Sequence, residues 1–327
     1  MLRTLITLVL LAALMFGSWT AWRIYAPVTP PANTSLLLHP GYSTRRIAAE
    51  LKGAGVIRNE FAFRLWHRLH PQPSLKAGEY RFEHPARLRE VHDRIAQGDI
   101  YFHTVTIPEG YTLFDIAKAM EDAGLGSAED FVHLAEGRTQ LIADLAPEAK
   151  SLEGYLFPNT YQFTRTQSLE EMVRAMVHQF RQEAQQIGLN TDVHRTVTMA
   201  SIVEKETAAT EERPRVASVY YNRLALKIAL DADPSVIYAE LLAGTYTGSL
   251  HHADLSVNSP YNTYRFPGLP PGPIGNPGRS ALEAALHPEN TKFLYFVSDG
   301  NGHHRFARSL QEHNRNVATY RHSLGLR

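Results

Sequence analysis

The sequence predicts an α+β fold in three parts: a single N-terminal transmembrane helix, small α+β modules, and a mainly helical α+β domain that closes the chain. Three observations support this: an uncharged apolar run at the N-terminus, a motif that recurs 69 residues later, and helix and strand patterns over the remainder. We place a tail at residues 1–4, the anchor at 5–22, a linker at 23–38, a repeat-bearing region at 39–165 and the last domain at 166–327.

Composition excludes several classes of function. The 327 residues are enough for two or three packed units. Lys plus Arg equals Asp plus Glu at 33 each, so the chain lacks the basic surplus that is typical of nucleic-acid binding. It has no cysteine, which excludes disulfides, Cys-ligated zinc, thiol catalysis and lipidation on cysteine. We expect no cofactor.

The apolar run from Leu5 to Trp22 carries no charge and is about the minimum length that spans a bilayer core as a helix. Trp19, Trp22 and Tyr25 gather at its far end, where amphipathic rings favour the membrane interface. A cleaved signal peptide is the alternative, but no clear Ala-x-Ala site follows the run. With Arg3 leading, we expect an uncleaved anchor with its N-terminus inside and the body outside the cytoplasmic membrane.

A Pro-rich spacer at 26–33 leads into the recurring motif. Each copy offers a turn glycine, a Ser or Thr helix cap, an apolar helix face and a terminal glycine. The first copy has these features at Gly41, Ser43, Ile47, Ala48, Leu51 and Gly55, and the second at Gly110, Thr112, Ile116, Ala117, Met120 and Gly124. Two copies are too few for a solenoid, so they indicate two small related modules or one module with a duplicated half.

Other elements follow from periodicity and turn residues. We predict helices at Val56–Leu69, Leu88–Gln97, Ser280–Leu286 and Ser309–Ser323, and strands at Gly78–Phe82, Tyr101–Ile107 and Phe293–Val297. Ser256–Gly278 is dense in Pro, Gly, Asn and Tyr, which predicts a long irregular loop; such loops in compact domains are usually functional.

The segment Thr196–Ala208 bears the main candidate for chemistry. As a helix, it places Glu206 on the same apolar face as Met199, Ile202 and Val203, while Glu204 points to the other side as a solvated partner of Lys205 or of a basic residue elsewhere. Apolar surroundings raise the pKa of a carboxyl group and prepare it to act as a general acid. The alternative is a structural Glu206 that pairs with an arginine or caps a backbone group.

Other polar groups give weaker signals. Ser259–Tyr264 and Gly268–Gly278 combine aromatic, amide and hydroxyl groups with a backbone fixed by prolines, which suits a glycan groove or a structured surface loop. Asp233 before Pro234 is typical of a helix cap. The histidines at 251, 252, 303 and 304 lack the spacing of a zinc motif, so we expect no metal.

Several segments in fixed order together resemble the endolytic murein transglycosylases of the MltG (YceG-like) family. They are Leu152–Tyr161 (with Asn159 where an aspartate is common), Ser201–Thr207, Val216–Leu224, Asp233–Tyr238, Ser259–Tyr264, Gly268–Ile274, Ala284–Pro288, Leu294–Val297 and His313–Asn314. The resemblance covers nearly the whole chain after the anchor.

The resemblance implies that Glu206 is the catalytic residue. It implies cleavage of the β-1,4 bond between N-acetylmuramic acid and N-acetylglucosamine within nascent glycan strands, with 1,6-anhydro ends and termination of strand growth. One carboxyl group then acts first as acid and later as base; the helix face around Glu206 offers no obvious second acid, which agrees with this. Candidates for substrate contact or for orienting the site are Glu153, Tyr261, Asn262 and Tyr264.

The resemblance also makes the repeats LysM-like and suggests that they help to hold glycan. It implies an inner-membrane protein with a periplasmic catalytic domain, with peptidoglycan and cell-wall synthases as partners. Two alternatives stay open: a hydrolytic muramidase, and a non-catalytic glycan-binding scaffold for the synthases.

Overall fold

A computed structural model describes residues 2–70 and 74–325. The chain forms two compact units, Met1–Thr104 with Gln162–Ser168, and Val105–Tyr161 with Leu169–Arg327. In the described residues, helices accompany three two-stranded sheets, so the predicted α+β class is confirmed at this level. The compact units differ from the predicted division at residue 166, because segment 105–161 clusters with the C-terminal helices.

Twelve helices and six strands follow one another along the described residues. The helices are α1 (Leu2–Tyr25), α2 (Thr44–Gly53), α3 (Glu60–Leu69), α4 (Leu88–Gln97), α5 (Leu113–Asp122), α6 (Ala128–Gly137), α7 (Leu169–Gln186), α8 (Val193–Glu206), α9 (Arg213–Ala225), α10 (Asp233–Ala243), α11 (Arg279–Leu286) and α12 (Leu310–Ser323). The strands are β1 (Thr34–Leu38), β2 (Gly78–Phe82), β3 (His103–Thr106), β4 (Thr160–Phe163), β5 (Tyr295–Ser298) and β6 (His304–Ala307). They pair as β1–β2, β3–β4 and β5–β6.

The first unit contains the apolar helix and a small α+β core. In α1 the stretch Thr4–Trp22 is long and apolar enough to span a membrane, and only 6% of it is buried within the protein. β1 and β2 pair antiparallel with Leu38 opposite Gly78, and their inward side chains pack with α2, α3 and α4. The side chain of Arg3, on which the predicted orientation partly depends, lies outside the described residues.

The recurring motif forms the same local structure twice. The Ser43 hydroxyl accepts from the Arg46 N–H and the Thr112 hydroxyl accepts from the Asp115 N–H, so each copy begins its helix with a side-chain cap. The turn glycines have similar positive φ angles, 83° at Gly41 and 78° at the equivalent position 110. The copies nevertheless lie in different compact units.

Most predicted elements form with shifted ends. α3 begins at Glu60 and not at Val56, because the Asn59 side chain caps it by accepting from the Ala62 N–H, and because Val56 is buried in the preceding turn. The strand expected at Tyr101–Ile107 is confined to β3. The loop expected after Ser256 is confirmed, since no helix or strand forms between there and α11 in this fully described stretch.

α8 is the central helix of the second unit. It packs against α9, α10 and α11, and nearly all its residues from Val193 to Val203 are buried. Most of this helix is buried on every side, so the solvated side that the sequence indicated opposite Glu206 is not found there. That side bears Ser201, which is 1% exposed.

Candidate active site

Glu206 is the last residue of α8, and its partly exposed side chain opens into a cavity of about 400 Å³. The lining residues are Glu206, Val219, Tyr220, Arg223, Leu230, Asp231, Asp233, Tyr264, Tyr295, Phe296, Leu310 and His313. All of them belong to the second unit. Burial raises the pKa of Glu206 to about 7.

The groups around Glu206 act on its pKa in opposite directions. The Tyr220 hydroxyl donates a hydrogen bond to the carboxylate and lowers the pKa, while the negative charge of Asp233 raises it. Glu206 also lies at the C-terminal end of a helix, where the helix dipole disfavours an anion. Burial outweighs the hydrogen bond, so the carboxyl group is half protonated near neutral pH.

Two further carboxylates line the cavity, although the helix face around Glu206 offers none. Asp233 is the first residue of α10 and accepts a 2.6 Å hydrogen bond from the Tyr264 hydroxyl. Asp231 is bound by the Arg223 guanidinium. The periodicity of α8 could not reveal these acids, because they come from a different part of the chain. Asp233 thus faces the cavity at a position where the sequence had indicated only a helix cap.

Glu204 is the buried structural carboxylate of the pair. It forms an ion pair with Arg213 and accepts from the Gly278 N–H at 3.0 Å. Its side chain is 5% exposed, so the expectation of a solvated Glu204 was wrong, although a basic partner from elsewhere in the chain is present. The sequence allowed a structural role for Glu206, either pairing with an arginine or capping a backbone group. In the structure Glu204 has both of these contacts.

The far wall of the cavity is built from α9, β5 and α12. Arg223 lies over the Tyr295 ring at 5.5 Å, and the same ring stacks on His313 at 5.2 Å. The Nδ1 atom of His313 is buried and has no hydrogen-bond partner among the described residues. Burial and the nearby Arg223 charge lower the pKa of His313, so its imidazole is neutral at pH 7.

The structure brings one of the four secondary candidates to this cavity. Tyr264 lines it, whereas Tyr261, Asn262 and Glu153 are not among its lining residues. Asn262 is fully buried, and its amide donates to the carbonyls of Leu255 and Val257. Its side-chain oxygen accepts from the Tyr264 N–H, so Asn262 holds the loop that presents Tyr264.

Glu153 is 1% exposed and is held by three groups of the protein. Its carboxyl oxygens accept from the Leu113 N–H at 2.9 Å and from the Asn276 amide at 2.8 Å, and the Tyr238 hydroxyl bonds it as well. Burial raises the pKa of Glu153 to about 8. The Tyr261 ring lies 5.0 Å from Tyr238, so both candidates join the long loop to α5 and α10. Of the two roles considered, this placement favours orientation within the protein.

Sequence reasoning assigned no role to Tyr220, Arg223, Asp231 or His313. Three of them lie in segments that carried the resemblance, but neither periodicity nor spacing distinguished them from packing residues. Among the described residues, no group of three or more His, Asp or Glu side chains could hold a metal ion.

Comparisons with known proteins show which family the whole chain resembles. The profile of the YceG-like family matches residues 36–319. An endolytic murein transglycosylase of Bacillus subtilis (strain 168) is 34% identical over 90% of this chain and 87% of its own length. One of Streptococcus pneumoniae (strain D39) is 30% identical over 86% of this chain, which spans 57% of that relative. A crystal structure of a YceG-like protein from Listeria monocytogenes is 34% identical, with a TM-score of 0.56 over 86% of this chain and 97% of that one.

Proposed function

The chain belongs to the YceG-like family, and from this premise we propose that it is an endolytic peptidoglycan lytic transglycosylase with Glu206 as its catalytic acid. One observation carries the residue assignment: the Glu206 carboxyl group opens into the cavity with its pKa raised to about 7. An acid with a pKa near the working pH is both protonated often enough and acidic enough to donate efficiently.

The proposed reaction uses this carboxyl group twice. Glu206 donates its proton to the oxygen of the β-1,4 bond between N-acetylmuramic acid and N-acetylglucosamine, and the bond from that oxygen to the anomeric carbon breaks. The resulting carboxylate accepts the proton of the muramic acid 6-hydroxyl, whose oxygen bonds to the anomeric carbon. The products are a free 4-hydroxyl and a 1,6-anhydro ring, and no water is consumed.

The other cavity residues have proposed roles that follow from their charges. The Asp233 carboxylate stabilises the positive charge that develops at the anomeric carbon, while Tyr264 fixes the position of that carboxylate. The Tyr220 hydroxyl holds the Glu206 carboxyl group in one orientation. The His313 ring, which lines the cavity and stacks on Tyr295, contacts the sugar, so His313→Ala should raise KM more than it lowers kcat.

A hydrolytic muramidase is the second candidate, and Asp233 is the observation that favours it. Most glycosidases use two carboxyl groups, the second as a nucleophile or as a base for water. Mass spectrometry of products from isolated glycan strands separates the two reactions. Products with 1,6-anhydro ends support the transglycosylase reaction, and products with reducing ends would refute it.

The catalytic assignment is tested with two variants of one helix. Glu206→Gln should abolish release of fragments and leave the thermal unfolding midpoint nearly unchanged. Glu204→Gln, two residues away, should lower that midpoint because it breaks the buried pair with Arg213. Fragment release by Glu206→Gln at the wild-type rate would refute the role of Glu206. If the wild type releases no glycan fragments, the result supports the non-catalytic scaffold instead.

We further propose that α1 anchors the protein in the inner membrane with the N-terminus inside and both units in the periplasm. In this position the first unit, which carries the first repeat copy, helps to hold glycan, and cell-wall synthases lie within reach. Since the chain has no cysteine, Leu226→Cys gives a single thiol at a residue that is 60% exposed. An impermeant maleimide should label it in cells whose outer membrane alone is opened; labelling only after lysis would contradict the orientation.

A further inference from the structure

α3 lies directly beside the apolar helix α1 within the first unit. The rings of Phe16 and Phe61 lie 6.4 Å apart, and those of Tyr25 and Trp66 lie 6.2 Å apart. Phe61 remains 49% exposed in spite of this contact. A large aromatic side chain that is half exposed beside an exposed apolar helix forms one continuous apolar patch, and such patches mark interaction sites.

The position of Phe16 along α1 sets the depth of Phe61. Trp22 ends the apolar stretch, and Phe16 precedes it by six residues, which is about 9 Å along a helix. With its centroid 6.4 Å from that of Phe16, the Phe61 ring lies at least about 3 Å inside the level of Trp22 when α1 runs along the membrane normal. An indole at the end of a span marks the boundary between headgroups and hydrocarbon.

The charged side chains near Phe61 lie where the headgroup boundary at Trp22 would place them. The Arg58 guanidinium lies over the Trp22 ring at 4.9 Å and donates to the carbonyls of Ala26 and Pro27, so it lies at the headgroup boundary. Arg64 is exposed one turn after Phe61. The acidic neighbour Glu60 pairs with Lys52 at 3.1 Å. Cations at this level attract anionic lipid headgroups.

We propose that the first turn of α3 is a second membrane contact, in which Phe61 inserts into the bilayer beside the anchor and Arg58 and Arg64 bind anionic headgroups. This inference rests on the proposed role of α1 as a membrane span. The contact adds to the packing of α1 on α3 and holds the first unit at a fixed depth on the membrane. Its occupant is lipid, and the end of α3 lies outside the bilayer, since Trp66 contacts Tyr25 beyond the end of the span.

The absence of native cysteine allows a direct test in the full chain. Phe61→Cys and Leu69→Cys are each labelled with an environment-sensitive fluorophore and placed in nanodiscs that contain anionic lipid. The two positions share one helix and are both exposed, at 49% and 66%, but lie about 12 Å apart along it. We expect a blue-shifted emission at position 61 that acyl-chain quenchers reduce at least twofold, and a water-like emission at position 69 that iodide quenches.

A measurement on the unaltered protein complements the labelled variants. A lipid with a photoactivated carbene precursor in its acyl chain should modify the tryptic peptide 59–64 and not the peptide 65–68. Iodide quenching at position 61 without lipid modification of peptide 59–64 would overturn the proposal, as would equal emission at both positions.

A third labelled variant separates this inference from the anchor itself. Leu14→Cys lies within the apolar stretch of α1. If position 14 is buried in lipid and position 61 is not, the α3 contact fails and the anchor stands. If position 14 is accessible to iodide, the anchor proposal fails first.

Discussion

The pKa of Glu206 determines how much of the enzyme carries the proton that the reaction needs. At pH 7, a carboxyl group with a pKa of about 7 is half protonated, whereas one at the ordinary value of 4.5 is protonated to about 0.3%. The raised pKa therefore increases the active fraction by a factor of about 150 at neutral pH. The rate of glycan cleavage should fall on the alkaline side, with a midpoint near pH 7.

Two substitutions should move this midpoint in opposite directions. Tyr220→Phe removes a hydrogen bond that favours the ionised form of Glu206, so the midpoint should rise by about 1 pH unit. Asp233→Asn removes a negative charge that favours the protonated form, so the midpoint should fall by a smaller amount. Both variants also change kcat, which makes the position of the midpoint, and not the absolute rate, the informative quantity.

The assay is the pH dependence of kcat/KM on isolated glycan strands, because this ratio reports the ionisations of the free enzyme. A wild-type profile without an alkaline decline would refute a titrating acid. Movement of both midpoints in the same direction would refute the electrostatic account of the site even if Glu206 is essential.

Three further predictions concern stability. Burial raises the pKa of Glu153 in the folded protein to about 8, from an ordinary 4.5. Its contribution to folding stability is therefore complete below pH 4.5 and is lost as pH rises toward 8. The difference in thermal unfolding midpoint between the wild type and Glu153→Gln should shrink over this pH range, and a constant difference would contradict the raised pKa. Glu204→Gln should cost about 3 kcal/mol of unfolding free energy in denaturant titrations, because it leaves Arg213 buried without its main partner; a cost below about 1 kcal/mol would refute this. Gly154→Ala should cost about 3 kcal/mol or more of unfolding free energy, because φ at this position is +86° and the added Cβ would lie 2.5 Å from Pro273. Gly188→Ala has a similar φ of +73° but its added Cβ would meet no atom within 4 Å, so it should cost about 1 kcal/mol in the same titration. Equal costs would refute the steric argument.

Local features of this chain could be predicted from the sequence. The two helix caps, the strand Gly78–Phe82 and the helix Leu88–Gln97 depend on neighbouring residues, and the structure has them at the expected positions. Glu206 belongs to the same group, since an acidic residue on an otherwise apolar helix face is visible in periodicity alone.

Features that depend on contacts between distant segments could not be predicted. The partner of Glu204 lies nine residues away around a turn, and Gly278 lies 74 residues away, so periodicity alone assigned Glu204 to solvent. Two of the three elements of the far wall of the cavity, β5 and α12, lie about 90 to 110 residues after Glu206. A one-dimensional pattern contains no information on which of these segments meet.

The second unit is built from two separate segments of the chain, and this limits where genes of this family can recombine. The chain leaves this unit after Tyr161, returns to the first unit for seven residues, and re-enters it at Leu169. A recombination breakpoint at that crossing would separate Tyr155, which packs edge-on against Phe180 and bonds His194 at 2.8 Å, from both partners. A single breakpoint between residues 161 and 169 cannot transfer the complete second unit. We therefore expect recombination between genes to move the second repeat copy and the catalytic helices together.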